Sequence, residues 1–336
     1  MTGFWRVHPN MGNSYRVSLL LVTALLAAST LTAQFRPANP TPQLPAPAAP
    51  PRTPASQAEG PLFSARVNLV RLLVSVRDQQ GAIISNLNKE DFRVLDSGVE
   101  QQVTIFERNT SLPLSVAILM DTSASTRVDL HYESSSVLRF ISTLLGAGNP
   151  HDIFALFTFN SETNMQVDYS RNKGRASKAL SAAVGAGGTS LYDSIYLVGD
   201  TLQGREGRHV MVVVTDGGDT TSYKKYGDAL RAAHQADAVI YPIVVVPIAG
   251  DAGRNLGGEH ALATLAASTG GRIFNPSGFD ELDTAFADII HELRTQYLVG
   301  FYPKDVREEP RRFHSVSVSV RPAGMKTLAR SGYYEP

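Results

Sequence analysis

Cysteine is absent from this chain of 336 residues. Its absence excludes a disulfide framework, a zinc site built from thiolates and a cysteine nucleophile. A lipid anchor attached to a cysteine after the leader is excluded as well. Any site in this chain must therefore be built without thiolates.

A net charge is absent too, because 31 lysine and arginine residues balance 31 aspartate and glutamate residues. The chain has no overall field that would attract nucleic acid or an anionic membrane surface, and we expect no nucleic-acid partner. Hydrophobic residues make up 43% and charged residues 18% of the sequence, which is enough to bury a core. The length suggests two modest domains, or one large domain with appendages.

The N-terminal apolar run, residues 17–28, is short for a membrane span, which needs about 20 apolar residues. It follows Arg6 and Arg16 with no acidic residue, and small residues up to Ala33 come after it. This order is typical of a secretory signal peptide, and we expect cleavage of residues 1–33. The pattern predicts an exported protein, secreted or periplasmic, with no stable membrane insertion after cleavage. An uncleaved anchor is the alternative.

Proline and alanine dominate residues 34–62. Proline lacks an amide donor and the segment has little to bury, so we expect an extended, disordered linker. A plain spacer is the favoured interpretation, and a proline motif that docks a partner is the alternative.

Strands are predicted near both ends of the remaining chain. Apolar residues alternate with other residues in 70–76, and valines alternate with serines in 315–320. Two short strands are expected around the turn Asp96-Ser97-Gly98, and one more in residues 296–303.

The N-terminal strands alone are too few and too short to form a stable sandwich. Strands from the other end of the chain can complete it. We therefore predict one discontinuous β-sandwich that combines residues 63–112 with residues 297–336. Residues 113–296 would form a separate domain inserted between the two parts.

The inserted segment alternates apolar strands with amphipathic helices. Strands are predicted at residues 115–120, 153–159, 209–214 and 239–246. Helices are predicted at about residues 131–146, 174–184, 191–202, 224–236 and 279–295. This alternation predicts the α/β fold class, with a doubly wound, mostly parallel sheet inserted in the small β-sandwich. In such sheets ligands bind beyond the carboxyl ends of the strands.

Three loops at predicted strand ends or helix starts carry oxygen ligands. Asp121, Ser123 and Ser125 follow one buried strand, Thr189 follows a glycine pair, and Asp216 ends another buried strand. Two carboxylates and three hydroxyls with no soft donor suit a hard divalent cation, Mg²⁺ or Ca²⁺, with Mn²⁺ also compatible. The alternative is that these residues only cap the helices that follow.

The motif Asp121-x-Ser123-x-Ser125, the later Thr189 in "GGTSL" and the "TDG" of Asp216 resemble a known site. It is the metal-ion-dependent adhesion site of von Willebrand factor A (VWFA) domains, and the resemblance covers roughly residues 113–295. The flanking segments "KEDFRVLDSGVEQQV" and "LRTQYLVGFYP" are similar to exported bacterial proteins called VWFA-related Acidobacterial domain proteins.

The resemblance implies a role for each of the five residues. Ser123 and Ser125 would bind the metal directly, and Asp121 directly or through water. Thr189 would enter the coordination shell of the metal when ligand is bound, and Asp216 would hold a coordinating water. A cation with few direct carboxylates can accept a carboxylate from outside, so the expected partner is a protein that presents an acidic side chain.

Two further acids, Asp193 and Asp219, lie close in sequence to the predicted site residues. Asp193, four residues after Thr189, is expected to fix the loop, and Asp219 receives no assignment.

An enzyme is not indicated by the sequence. The chain contains no G-x-S-x-G, H-E-x-x-H or P-loop motif. A phosphatase of the haloacid-dehalogenase type with Asp121 as nucleophile would require a second acid two residues later, where Ser123 stands. The alternatives to a cation-dependent adhesion module are such a phosphohydrolase and a structural envelope protein with a vestigial metal site.

Overall fold

The computed structural model describes most of the chain after the N-terminal segments. The described residues are 69–146, 148–245, 255–306, 312–321 and 323–335. The predicted signal peptide and the predicted linker, residues 1–33 and 34–62, lie outside the described residues.

Thirteen strands and six α-helices form the described part of the chain. The strands of the described residues are β1 (Val70–Arg77), β2 (Phe92–Asp96), β3 (Val99–Gln101), β4 (Val103–Glu107), β5 (Leu114–Asp121), β6 (Ile153–Phe159), β7 (Thr163–Ser170), β8 (Arg208–Thr215), β9 (Ala238–Val244), β10 (Tyr297–Phe301), β11 (Phe313–Val320), β12 (Lys326–Leu328) and β13 (Gly332–Tyr334). The helices are α1 (Leu130–Gly146), α2 (Lys173–Ser181), α3 (Leu191–Leu202), α4 (Tyr226–Gln235), α5 (Leu256–Thr269) and α6 (Phe279–Thr295).

A five-stranded sheet in the order β7-β6-β5-β8-β9 forms the centre of the α/β part. The pairs β5–β6, β5–β8 and β8–β9 are parallel, and β7 is an antiparallel edge strand. Every residue of β5, β8 and β9 is buried, because helices cover both faces of the sheet. The predicted fold class, a mostly parallel and doubly wound α/β sheet, is confirmed.

Alternate residues of β5 point into two separate hydrophobic cores, as the period of a strand requires. Ile118 and Met120 pack with residues of α1, α2 and α6 on one face. Ala117 and Leu119 pack with residues of α3, α4 and α5 on the other face. The central strand is therefore held in register from both sides, which fixes the position of Asp121 at its end.

Two antiparallel four-stranded sheets flank this unit, in the orders β12-β1-β10-β4 and β13-β11-β2-β3. Strand β1 pairs with β10, and β2 pairs with β11, so each sheet combines strands from both ends of the described chain. A hydrophobic core that includes Leu72, Val94, Val299 and Val316 lies between the two sheets. The exact division of the chain into the predicted segments stays a prediction.

Residues 92–107 contain three strands, β2 to β4, where two were expected. Ser97 and Gly98 have φ angles of 49° and 86°, as the two-residue turn of a β-hairpin requires, and they connect β2 to β3. The chain then passes at Gln102 from one antiparallel sheet to the other, where β4 pairs with β10.

The α/β part contains one strand and one α-helix that the pattern did not predict. Strand β7 was not predicted because its residues are mostly polar and only Val167 is buried. Helix α5 was not predicted because Gly257 and Gly258 occupy its first turn, and two adjacent glycines favour a loop. Among the described residues, no helix has both the length and the apolar character that crossing a membrane requires.

Candidate metal site

Two of the three predicted loops, those of Asp121 and Asp216, start at neighbouring positions on the carboxyl edge of the central sheet. Asp121 is the last residue of β5, and Asp216 follows the last residue of β8 directly. Strands β5 and β8 are parallel neighbours, paired as far as Met120 with Val214, so their ends lie side by side. A short 3-10 helix, Ser125–Val128, begins within the first loop.

Backbone hydrogen bonds attach the Thr189 loop to the first loop. The Ala124 amide donates to the Gly187 carbonyl at 3.1 Å, and the Ala186 amide donates to the Thr122 carbonyl at 2.9 Å. Gly187 has a φ of +79°, a conformation that favours glycine and allows this loop to turn next to the strand end.

The same loop is attached to the third loop. The Thr220 amide donates to the Thr189 carbonyl at 2.8 Å, and the Thr189 amide donates to the Thr220 hydroxyl at 2.8 Å. Thr189 is therefore held between the loops that carry Asp121 and Asp216.

Asp121 is fully buried and both of its carboxylate oxygens accept hydrogen bonds. The Ser123 amide donates to Oδ1 at 2.8 Å, and the Thr215 hydroxyl donates to Oδ2 at 2.6 Å. Burial raises the pKa of Asp121 to about 6, although the hydrogen bonds from Thr215 and Ser123 act in the opposite direction. Thr215 was not predicted as part of the site, since it ends an otherwise apolar strand.

Ser123 and Ser125 continue the hydrogen-bonded set, and Asp216 lies beside it. The hydroxyls of Ser123 and Ser125 lie 3.1 Å apart, and the Ser125 side chain lies near enough to the Asp216 carboxyl group to act on its pKa, which it lowers. Ser123 is buried whereas Ser125 is exposed, so the site opens to solvent at Ser125. Burial raises the pKa of Asp216, and the charge of Asp129 adds to this effect. Asp121, Ser123 and Ser125 are thus joined by hydrogen bonds, Asp216 lies beside Ser125, and Thr189 reaches the site through its loop.

Glu133 of α1 is a further acid beside the site, and sequence reasoning missed it. Its side chain is only 1% exposed, and its Oε2 atom has no hydrogen-bond partner in the described part of the chain. Burial raises its pKa well above the usual value, and the charges of Asp121, Asp216 and Asp129 raise it further. A signal was present in the sequence, because Glu133 lies three residues after Leu130 on the buried face of α1.

Asp193 and Asp219 fix backbone segments around the site. Asp193 accepts from the amides of Lys224 at 2.7 Å and Tyr223 at 3.0 Å, so it holds the loop after Asp216 instead of the Thr189 loop. Asp219 accepts from the Tyr192 amide at 3.2 Å, in the first turn of α3. Both acids therefore have structural partners.

The oxygen atoms present fit a hard divalent cation better than a soft one. No group of three or more histidine, aspartate or glutamate side chains in the described residues is arranged to hold a metal ion. A cation here would thus depend on two carboxylates, on hydroxyls and on water. Burial is the largest cause of the raised pKa values of Asp121, Asp216 and Glu133, and a bound cation would act in the opposite direction by favouring the ionised carboxylates.

Comparison with known proteins gives one family match and several structural neighbours. Residues 115–288 match the family model of the von Willebrand factor type A domain. A comparison with curated protein sequences finds no match. The narrower Acidobacterial grouping stays a prediction.

Three solved structures illustrate the structural similarity. The vWF domain of the type V pili tip protein Mfa5 from Porphyromonas gingivalis is 13% identical, with a TM-score of 0.43 over 54% of this chain and 95% of that one. The conserved hypothetical protein BatB from Bacteroides thetaiotaomicron is 17% identical, with a TM-score of 0.43 over 54% and 98%. A von Willebrand factor type A protein from Catenulispora acidiphila is 11% identical, with a TM-score of 0.45 over 80% and 75%. The identities are too low for the roles of these proteins to be transferred to this chain.

Proposed function

Since the chain belongs to the family of von Willebrand factor type A domains, which commonly serve in protein–protein interaction, we propose that it is an exported, divalent-cation-dependent adhesion module. Its cofactor is Mg²⁺, with Ca²⁺ or Mn²⁺ as substitutes. Its partner is a protein that presents an acidic side chain. Export is supported by the N-terminal segment of residues 1–33, with its basic start and short apolar run.

The observation that carries the proposal is the hydrogen-bonded set of oxygen ligands at the carboxyl edge of the sheet. Asp121, Ser123, Ser125 and Asp216 would hold the cation, and Thr189 would approach it from the adjoining loop. A bound cation would supply an open coordination position for a carboxylate oxygen from the partner. Few direct carboxylates would leave the cation with enough positive charge to attract that oxygen.

Exposed apolar side chains lie in segments near this polar centre and support a protein partner. Val128, Val184, Tyr223 and Leu256 are 85%, 72%, 93% and 67% exposed, the highest values among the large hydrophobic residues described. We call these four residues the apolar rim.

Each rim residue lies in a segment that forms the site or that packs against one. Val128 ends the 3-10 helix that begins at Ser125, and Val184 precedes a loop glycine that packs on that helix. Tyr223 lies in the loop held by Asp193, and Leu256 begins α5, which packs against Gly218. Exposed apolar residues around a polar centre are typical of a protein-binding surface.

An enzyme with Asp121 as nucleophile is disfavoured by the position of that side chain. Asp121 has no exposed surface, and both carboxylate oxygens are already hydrogen-bonded. A nucleophile must have an oxygen that can reach the substrate. We therefore propose a binding role without catalysis.

Affinity capture with and without a chelator tests the proposed function. Residues 34–336 are immobilised and incubated with exported proteins of the source cells in Mg²⁺ or in EDTA. We expect a partner that is retained in Mg²⁺ and lost both in EDTA and with Asp121→Asn. The matched control is Asp200→Asn, which removes the same charge from an exposed position on α3 and should retain the partner.

The alternatives give different results in the same experiment. Capture that persists in EDTA and with Asp121→Asn would indicate a structural protein with a vestigial site. Turnover of phosphate esters that disappears with Asp121→Asn would indicate the phosphohydrolase.

A further inference from the structure

A second candidate binding region lies at the opposite edge of the central sheet. A cavity of about 60 Å³ opens near the amino-terminal ends of β8 and β9, where they meet the antiparallel sheet that contains β1 and β10. A water molecule needs about 10–15 Å³ of such space, so the cavity has room for a small ligand. No residue of the candidate metal site lines it.

The residues that line the cavity carry an excess of positive charge. Arg71, Arg208 and Arg330 contribute three positive charges, and Asp237 contributes one negative charge. Asp237 already forms an ion pair with Arg330 Nη1. Arg330 Nη2 donates to the Arg71 carbonyl at 2.9 Å, but Nε has no partner in the described structure.

Arg208 is the most deeply buried of these cations, with 3% exposure. Its Nε donates to the Leu112 carbonyl at 3.1 Å and its Nη1 donates to the Leu293 carbonyl. The Nη2 atom is buried and finds no acceptor among the described residues. Burial lowers the pKa of Arg208 to about 10, so the guanidinium stays charged at neutral pH. A buried charged donor without an acceptor is costly, and an anion would satisfy it.

His234 adds an acceptor to the same cavity. Its Nδ1 lies 3.1 Å from the Gly332 carbonyl, while its buried Nε2 has no hydrogen-bond partner within the described residues. Burial and the charge of Arg330 lower the pKa of His234 to about 4, so the ring is neutral at neutral pH. The Nδ1 atom then carries the proton that bonds to Gly332, which leaves Nε2 as an acceptor for an O–H group.

We propose that this cavity binds a small oxyanion that carries one O–H group, of which hydrogen phosphate is the simplest. The buried arginine nitrogens of Arg208 and Arg330 donate to its oxygens, and His234 Nε2 accepts from its hydroxyl. Arg71, which is exposed, adds positive charge at the mouth. The proposal uses three atoms, Arg208 Nη2, Arg330 Nε and His234 Nε2, that have no hydrogen-bond partner within the described part of the chain.

Phosphate titration of residues 34–336 in EDTA tests the proposal, read by calorimetry and by ³¹P NMR line broadening. We expect saturable binding of phosphate, and weaker binding of sulfate by about tenfold because sulfate has no O–H group at neutral pH. Arg71→Gln changes an exposed residue and should fold normally, and it should weaken phosphate binding by about tenfold. The matched control Arg93→Gln removes an exposed arginine of β2 and should bind phosphate as the unchanged protein does.

His234→Phe tests the role of the acceptor nitrogen separately. It should abolish the preference for phosphate over sulfate while both anions still bind weakly. The proposal is overturned if no saturable binding occurs at millimolar phosphate, which would mean that the cavity holds water only. It is equally overturned if Arg71→Gln and Arg93→Gln bind phosphate alike.

Discussion

The ionisation of the buried acid Glu133 would depend on whether the protein has bound a cation. Its carboxyl group lies in an apolar helix face and is influenced by three other acids. Its raised pKa favours the neutral form when no cation is present, whereas a cation nearby would lower that pKa and favour the ionised form.

The first prediction follows from this coupling. Glu133→Gln should leave the stability of the cation-free protein nearly unchanged, because glutamine resembles the neutral acid. The Mg²⁺ affinity should fall by about tenfold, because glutamine cannot ionise. Calorimetric titration measures the affinity, and urea unfolding in EDTA measures the stability. An unchanged affinity would show that Glu133 serves packing alone.

His234 gives the protein a predicted pH dependence of stability. Its pKa is about 4 in the folded chain against the ordinary 6.5, so below pH 6.5 the unfolded chain binds a proton that the folded chain does not. Stability from this residue is complete above pH 6.5 and is lost as the pH falls towards 4. The loss should reach about 2–3 kcal/mol near pH 4.5.

Urea unfolding at pH 7.5 and pH 4.5 in phosphate-free buffers measures this effect. His234→Phe lacks the titrating group, so its free energy of unfolding should fall less between the two pH values than that of the unchanged protein. Equal losses in both proteins would assign the acid sensitivity to other groups.

Helix α6 connects the central sheet to the antiparallel sheet that contains β1 through one buried acid. Glu292 is fully buried and accepts from Arg77 of β1 at 2.5 Å, from Arg272 at 3.1 Å and from the Tyr241 hydroxyl at 3.2 Å. Removing one member of a buried ion pair leaves its partners uncompensated.

Glu292→Gln should therefore lower the free energy of unfolding by about 3–5 kcal/mol. The matched control on the same helix is Asp283→Asn, whose partner Arg139 is 58% exposed, and it should cost no more than about 1 kcal/mol. Urea unfolding monitored by circular dichroism compares the two variants. Similar costs for both would mean that the Glu292 cluster does not connect the sheets.

The elements that the sequence predicted best are those whose burial follows a simple pattern. Strands β5, β6, β8 and β9 are long apolar runs, and the predicted bounds of α3 agree with the structure. The mostly polar edge strand β7 and the helix α5, which starts with glycines, carry no comparable signal.

The site was predictable only in part for a similar reason. Asp121, Ser123 and Ser125 form a local motif, and Thr189 and Asp216 occur in recognisable loops. Thr215 approaches Asp121 only through the packing of β8 beside β5. The sequence pattern places Glu133 on the buried face of α1 but does not reveal that this face lies near Asp121. The metal-binding roles of the five residues stay predictions.

At the scale of the whole molecule, the two ends of the described chain depend on each other. Strand β10 lies between β1 and β4, and β11 lies between β2 and β13. A chain that ends at residue 295 lacks β10 to β13, so β1, β2 and β4 lose their central neighbours.

The shortened chain should aggregate, because unpaired strand edges and an uncovered apolar face promote association. Size-exclusion chromatography with light scattering compares it with residues 34–336. A monodisperse shortened chain with its N-terminal strands folded would contradict the interdependence of the two ends.

The most direct measurement of the central claim is calorimetric titration of Mg²⁺ into residues 34–336 and into the variant Asp121→Asn. The account predicts one saturable site in the unchanged protein and none in the variant. At a hundredfold excess over the dissociation constant, Mg²⁺ should stabilise the unchanged protein alone by about 2.7 kcal/mol. No binding by the unchanged protein to Mg²⁺, Ca²⁺ or Mn²⁺, or equal affinity in the folded variant, would contradict the assignment of the site.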